Sequence, residues 1–319
     1  MMHMPKKEID VIVIGELNVD IIMNEIASFP VIGKEIMADS MSVTLGSSSA
    51  IFANNLSSLG PRVSFIGKIG EDNFAKVVLT TLENKNVDTD HIIKSLTLNT
   101  GATIVLNYDQ DRANITYPGA MNDLRLEDID FDFLSRGRHM HFSNCFMQPG
   151  IRNDLTTLFR KAKELGLTTS FDTQWDPEEK WDLPLEDLLP YVDIFLPNIK
   201  EFMFLTRSNS VDEGINKIKG FANLIIIKNG SDGAMAWNGK ELIHQGSFKN
   251  ENVVDCIGAG DSFNAGFIKE FLDKQPLKKC LETGALAGAI NTTRAGGTDA
   301  FTNIDTIRKI AREKFNYSF

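Results

Sequence analysis

The strongest constraint on the fold is a series of short, continuous apolar runs. They lie at residues 11–14, 63–66, 139–142, 168–171, 192–196 and 224–227. Such runs are typical of strands buried on both faces of a sheet. Segments with apolar residues at helical spacing lie between them, at residues 73–82, 153–165 and 215–221. Strands that alternate with helices predict an α/β fold with a mainly parallel sheet.

Two segments depart from this alternation. Residues 35–45 are largely strand-like, and residues 101–119 have the pattern of a hairpin with a turn at residues 109–111. Neither segment is followed by a helix that would cover it. We therefore expect both to belong to a small accessory sheet beside the main one.

Charge and composition exclude several kinds of partner. The chain has 319 residues, 42% of them hydrophobic, and a formal net charge of −10. An acidic surface repels phosphates and anionic lipids, so neither nucleic acid nor membrane is an expected partner. The first apolar run ends at Gly15 and is too short for a signal peptide or a membrane span. Three cysteines without metal-ligand spacing favour reduced thiols in the cytoplasm.

A glycine turn at residues 255–261 (DCIGAGD) carries the clearest chemical signal. Gly258 and Gly260 flank Ala259 where a strand leads into a helix. The N–H groups at a helix start lack internal partners and attract negative charge, so this turn predicts a phosphate cradle. Asp261 would stand beside the bound anion. The alternative is an ordinary glycine turn in which Asp261 caps the helix.

The same turn resembles the D-T-x-G-A-G-D signature of the ribokinase-like sugar kinases, also called the PfkB family, with Cys256 at the Thr position. Residues 15–20 (GELNVD) are similar to the family motif G-x-x-N-x-D, and residues 198–201 (NIKE) to N-x-x-E. Residues 228–233 (KNGSDG) stand in the place of the nucleotide-side glycine turn. The order and spacing of these motifs hold from about residue 10 to residue 300.

The resemblance implies a ribokinase-like α/β core with a small β lid, and an activity that moves the γ-phosphate of ATP onto a hydroxyl of a sugar-like molecule. Asp261 would accept the proton of that hydroxyl. The N–H groups of Gly258, Ala259 and Gly260 would stabilise the charge on the transferring phosphoryl group.

The resemblance also implies Mg²⁺ beside the nucleotide. Asn198 and Glu201 are one helical turn apart and would reach the metal through water. The alternative for this pair is a helix capping box. A K⁺ site would use Asp255 and Ile257 on one side and the loop of residues 294–297 on the other. The implied nucleotide-binding residues are Asn198, Lys228, Gly230, Gly233 and Asn291.

The acceptor side departs from the family pattern. The implied acceptor-binding residues are Asn18, Asp20, Gly46, Ser47, Arg112 and Asp261. The family usually has a second glycine where this chain has Ser47, and an asparagine where it has Ile51. The family's acceptor contacts therefore do not transfer intact, which argues against ribose. Arg112, at the predicted hairpin turn, would meet an anionic acceptor; the alternative is a solvated turn charge.

Several alternatives remain open at this stage. The chain is expected to divide into a core (residues 1–15, 46–100 and 120–319) and a lid (residues 16–45 and 101–119), whose exposed sheet favours a homodimer.

The acceptor alternatives are a nucleoside and a 2-keto-3-deoxy sugar acid. A non-catalytic sensor of the same fold is another reading, against which the intact Asp261 argues. The fingerprints of dinucleotide-binding oxidoreductases and of P-loop kinases are missing from the sequence.

Overall fold

The structure is a computed structural model that describes residues 7–108 and 111–318, without the side chains of Asp111 and Arg112. The strands of the described residues are Ile9–Ile14 (β1), Asn18–Asn24 (β2), Ser40–Leu45 (β3), Val63–Gly70 (β4), Ile92–Ser95 (β5), Gly101–Tyr108 (β6), Asp111–Tyr117 (β7), Gly137–Ser143 (β8), Thr168–Asp172 (β9), Ile194–Phe195 (β10), Leu224–Lys228 (β11), Ala234–Trp237 (β12) and Leu242–Gln245 (β13). Every apolar run singled out in the sequence contributes to one of these strands.

The helices lie mostly between the strands of the core. They are Ser48–Ser58 (α1), Asn73–Glu83 (α2), Phe131–Leu134 (α3), Pro149–Arg152 (α4), Leu155–Glu164 (α5), Leu185–Leu188 (α6), Ile199–Thr206 (α7), Val211–Ile218 (α8), Ala259–Leu272 (α9), Leu277–Asn291 (α10) and Ile304–Phe315 (α11). Helix α8 begins earlier than its apolar spacing predicts, because the Ser210 side chain accepts a hydrogen bond from the Glu213 N–H and caps it there. Among the described residues, no helix combines the length and the apolar character that a membrane span requires.

The main sheet has nine strands in the order β13-β12-β11-β10-β9-β8-β1-β4-β5. Pairing is parallel from β11 to β5, and β12 and β13 add an antiparallel edge. Alternate residues of β1 enter two different cores. Val11 and Val13 pack on one side of the sheet with the last helices, whereas Ile12 and Ile14 pack on the other. Helices cover both faces, as the parallel pairing requires.

A separate four-stranded sheet, called the small sheet below, has the order β3-β2-β6-β7. Strands β6 and β7 form the antiparallel hairpin that the sequence predicts, although its turn residues 109 and 110 lie outside the described residues. The prediction of strand from residue 35 is wrong in part, because β3 begins only at Ser40. Ser40 pairs with Asn24, the last residue of β2, so residues 35–39 have no strand to pair with.

The two faces of the small sheet differ in character. One row across the four strands is polar and consists of Thr44, Asp20, Thr103 and Thr116. The next row points the opposite way and consists of Val43, Ile21, Ile104 and Ile115. Within that apolar row Ile115 is 63% exposed. The polar row and the apolar row therefore lie on opposite faces of the small sheet, and the apolar row is exposed at Ile104 and Ile115.

Candidate active site

A cleft of about 290 Å³ lies between the small sheet and the start of α9. The polar face of the small sheet forms one side of it, and Asp261 lies on another. Its lining includes Glu16, Asn18, Asp20, Ser47, Ser48, Ile51, Thr103, Val105, Asn114, Thr116, Asn144, Gln174, Trp175, Ile257, Gly258 and Asp261. The structure thus gathers, around one cavity, residues that the sequence assigns separately to acceptor binding and to catalysis.

Asp261 lies in the first turn of α9 and is only 7% exposed. Its Oδ1 atom accepts a hydrogen bond of 3.0 Å from Nε2 of Gln174. Burial raises the pKa of Asp261 well above its ordinary value, and the Asp172 carboxylate raises it further, against the opposing effect of Lys228. A carboxylate with a raised pKa is a stronger proton acceptor, which is the property that a general base needs.

The glycine turn before α9 has the backbone shape that glycine favours. Gly258 has a φ of 73°, and a Cβ atom at this position would come within 2.9 Å of the Ile51 side chain. The Ala259 N–H donates to the Cys256 carbonyl at 3.2 Å, so it would have to exchange this bond for one to a phosphoryl oxygen. The turn is therefore close-packed, and its backbone is held by a hydrogen bond of its own.

Asn291 supports this turn from behind. Its Nδ2 atom donates to the Ile257 carbonyl, and its Oδ1 atom accepts from the Ser262 hydroxyl. The side chain is fully buried. This geometry favours a structural role for Asn291, and its contact with the nucleotide stays a prediction.

A buried network connects Asp261 to a residue that the sequence analysis missed. Asp172, at the end of β9, is fully buried and accepts hydrogen bonds from Lys228 Nζ at 2.6 Å and from Asn264 Nδ2 at 2.5 Å. Nε2 of Gln174 lies 3.1 Å from Asp172 Oδ2 and 3.0 Å from Asp261 Oδ1, so it joins the two carboxylates. Burial alone would lower the pKa of Lys228, but the carboxylates around it raise that pKa above its ordinary value.

Asn198 and Glu201 form a capping box at the start of α7, which is the alternative reading of this pair. Glu201 Oε2 accepts from the Asn198 backbone N–H at 2.9 Å, and Asn198 Oδ1 accepts from the Glu201 N–H at 2.9 Å. Burial and the nearby Asp172 raise the pKa of Glu201 to about 7. Both carboxylate oxygens of Glu201 already accept hydrogen bonds. Carboxylate and amide oxygens are ligands of the kind that Mg²⁺ prefers. Because the oxygens of Glu201 are engaged in the capping box, the pair fits a Mg²⁺ ion that it contacts through water.

Asn18 and Asp20, which the sequence predicts to bind the acceptor, both line the cleft. Asn18 Nδ2 donates to Asp20 Oδ1 at 3.2 Å and to Thr103 Oγ1 at 3.1 Å. A Cβ atom at Gly46 would lie 2.4 Å from Asp20 Oδ1, so a glycine is needed there for close approach. Ser47 has a φ of 69°, which favours glycine, and its hydroxyl caps α1 by accepting from the Ala50 N–H.

Glu16 is a second residue that the sequence analysis did not single out. It is 1% exposed, and its carboxylate accepts hydrogen bonds from the hydroxyls of Ser48 and Ser49 and from Asn144 Nδ2. It also lies on the cleft wall, so its negative charge contributes to the cleft. Its place directly after β1, at the carboxyl end of a central parallel strand, is the signal that would have found it.

The remaining predicted residues belong to the K⁺ site, to the glycine turn assigned to the nucleotide, and to the hairpin that carries Arg112. The Asp255 carboxylate accepts from the N–H groups of Ile257 and Gly296, so it brings together the two sides of the predicted K⁺ site. Gly230 and Gly233 both have positive φ in the turn between β11 and β12. The backbone of Arg112 lies in β7, but its side chain is outside the described residues. Among the described residues, no group of three or more His, Cys, Asp or Glu side chains could by itself hold a metal ion.

Comparison with known proteins gives a consistent family assignment. The profile of the "pfkB family carbohydrate kinase" matches residues 8–304. A 5-dehydro-2-deoxygluconokinase of Geobacillus kaustophilus is 27% identical, with 98% of this chain and 96% of that protein covered. The Arabidopsis thaliana ribokinase complexed with ribose and ATP has the same fold, with a TM-score of 0.82, 21% identity, and coverage of 95% of this chain and 98% of that one. A putative ribokinase II of E. coli in complex with ATP and Mg²⁺ gives a TM-score of 0.83, 23% identity, and coverage of 95% and 99%.

Proposed function

Because the chain belongs to the PfkB family of carbohydrate kinases, we propose that it transfers the γ-phosphate of ATP to a hydroxyl of a sugar-like acceptor, with Asp261 as general base. The observation that carries this proposal is the position of Asp261. It is buried in the first turn of α9 and lines the same cleft as Asn18 and Asp20. Asn18 and Asp20 can hold an acceptor in the cleft while Asp261 accepts the proton of its hydroxyl.

The transfer follows from this placement. Asp261 accepts the proton of the acceptor hydroxyl, and the resulting oxygen forms a bond to the γ-phosphorus as the bond from that phosphorus to the leaving oxygen of ADP breaks. N–H groups of the turn at Gly258 and Gly260 stabilise the charge on the phosphoryl oxygens. Asn198 and Glu201 would hold Mg²⁺ through water, and the metal would supply positive charge against the phosphates. Asp255 and the Ile257 carbonyl would hold a K⁺ ion beside the turn.

The acceptor is a neutral sugar or a gluconate-derived acid, the class to which the name of the Geobacillus relative points. Glu16, Asp20 and Asp261 all line the cleft, so an acidic acceptor needs a cation beside it. Arg112 is the residue that would supply this cation. A neutral sugar and its acid counterpart, assayed with wild type and with Arg112→Gln, separate the two cases.

We also propose that the small sheet acts as a lid over the acceptor and that two copies pair through its outer face. The apolar outer row is exposed at Ile104 and Ile115, and Met41 and Tyr117 are exposed on the same sheet. Apolar surface of this kind is stabilised when a partner covers it. Ile115→Asp should shift the chain to monomer in sedimentation. A wild-type monomer at the same concentration would contradict the pairing.

The proposed function is tested by ADP formation from MgATP over a panel of neutral sugars, sugar acids and nucleosides. At least one acceptor should raise ADP formation well above the rate with ATP alone, with one phosphorylated product per ADP. If the protein binds ATP but phosphorylates none of them, the proposal of a sugar kinase with this base is contradicted in favour of a sensor.

A further inference from the structure

One side chain of the site, that of Gln174, joins the proposed base to the main sheet. Its Nε2 atom lies 3.0 Å from Asp261 Oδ1 and 3.1 Å from Asp172 Oδ2. An amide nitrogen carries two N–H groups, so one can be donated to each carboxylate. The reverse orientation of the amide would turn its oxygen toward two carboxylates, which would repel it. The donor side of Gln174 therefore faces both acids.

The far end of this bridge is anchored in the protein interior. Asp172 is fully buried, and its Oδ2 atom also accepts from Lys228 Nζ at 2.6 Å and from Asn264 Nδ2 at 2.5 Å. Gln174 follows two residues later with a φ of 59°, a left-handed conformation that residues other than glycine seldom adopt. Its amide is thus held against the end of β9, and Asp261 is the partner that it orients.

The Asp261 carboxylate depends on this amide. Among the described residues, Gln174 is the one that donates a hydrogen bond to it, whereas the Lys228 ammonium is bonded to Asp172. The charged groups that act on Asp261 lie on four other segments and are Asp172 of β9, Lys228 of β11, Glu16 after β1 and Glu201 of α7. Three of these are acids, which oppose the ionised form of Asp261. A hydrogen bond from a neutral amide stabilises the ionised form without adding charge.

We propose that Gln174 is a positioning residue of the phosphoryl transfer, whose amide holds Asp261 Oδ1 against Asp172 and leaves Asp261 Oδ2 to accept the proton of the acceptor hydroxyl. Gln174 also lines the cleft, but both N–H groups of its amide are taken by the two acids. It therefore acts through Asp261 and not through contact with the reacting atoms. This inference rests on the proposed kinase function and adds a side chain on which the base depends.

The test compares Gln174→Met, which removes the amide at nearly constant length, with Gln148→Met as a matched control. Gln148 is also buried, and its Nε2 atom donates to the carbonyls of Ser143 and Asn144. Gln174→Met should lower kcat at its alkaline plateau by about 10- to 100-fold and move the acid limb of the kcat profile up by about 1–2 pH units, with the acceptor KM nearly unchanged. Gln174→Ala, which adds no bulk, should move the acid limb in the same way. Gln148→Met should lower the melting temperature but leave the acid limb in place.

A double variant separates action through Asp261 from an independent contribution. Asp261→Asn has no carboxylate to position, so the addition of Gln174→Met to it should lower the residual single-turnover rate by less than about twofold. Losses that multiply would overturn the inference, and so would an acid limb that Gln174→Met and Gln174→Ala leave in place. Neither result would touch the proposed function, because the wild type remains an active kinase in both. A wild type that phosphorylates no acceptor would instead contradict the proposed function, and the role of Gln174 in the transfer with it.

Discussion

Replacement of Asp261 by Asn removes the proposed general base while keeping its shape. The Asn carbonyl oxygen can still accept the Gln174 hydrogen bond, which is 3.0 Å long in the wild-type chain. An amide does not accept the acceptor's proton as a carboxylate does. We expect kcat to fall by about 10²-fold or more, whereas the affinity for ATP should change little.

The same substitution has a calculable effect on stability. Burial and the neighbouring carboxylates raise the folded-state pKa of Asp261, so the folded chain holds this proton more tightly than the unfolded chain. The wild type therefore loses stability as the pH rises from about 4 to the raised pKa, at about 1.4 kcal/mol per pH unit. The variant has no charge to bury and keeps the Gln174 hydrogen bond. Asp261→Asn should accordingly become the more stable protein above about pH 5.

Single-turnover phosphorylation and thermal unfolding from pH 5 to pH 8 test both parts. Asp273→Asn, at the exposed far end of the same helix, is the matched control and should alter neither. The wild-type rate should fall on the acid side, as Asp261 becomes protonated, and the residual rate of Asp261→Asn should lack this decline. Near-normal kcat in Asp261→Asn would refute the assignment, and a variant that stays less stable at every pH would refute the electrostatic reasoning.

Three further perturbations address the ligands. Asp20→Ala should raise the acceptor KM by about 10- to 150-fold, since a hydrogen bond to a charged group contributes roughly 1.5–3 kcal/mol; the exposed Asp39→Ala is its control, and an unchanged KM would remove Asp20 from the acceptor site. Glu201→Gln should raise the Mg²⁺ concentration for half-maximal rate more than it raises the acceptor KM, and Glu213→Gln, at the start of α8, should not. An unchanged metal requirement would leave Glu201 as a helix cap alone. K⁺ should stimulate turnover relative to Na⁺ and a bulky organic cation, and equal rates in all three would contradict the site at Asp255.

The fold was largely predictable because its signals are local. Buried parallel strands need continuous apolar runs, and the hairpin of the small sheet has two strand-like arms around a polar turn. Both could therefore be predicted from short stretches of sequence. Strand ends were less predictable. Strand β3 begins at Ser40 because its partner, β2, ends at the paired residue Asn24. The residues before Ser40 do not themselves indicate where β2 ends.

The site was predictable only where one short segment carries it. The turn around Asp261 is contiguous in sequence, whereas Asp172 and Asn264 are 92 residues apart and meet only in the folded chain. Asp172 was visible in principle, because it ends an apolar run in the same way that Lys228 does. What the sequence did not show is that Gln174 would join Asp172 to Asp261. That contact depends on the path of the loop after β9.

The alternation of faces in the small sheet has a consequence for how this chain can change. Asp20 and Ile21 are adjacent in β2, yet Asp20 lines the cleft and Ile21 packs against the main core from the opposite face of the small sheet. A one-residue insertion before them would exchange the two faces throughout the strand, placing hydrocarbon in the cleft and a carboxylate against the core. The lining of the cleft and the packing of the small sheet on the core thus depend on one strand register. Point substitutions can alter either one alone, but a change in strand length alters both together.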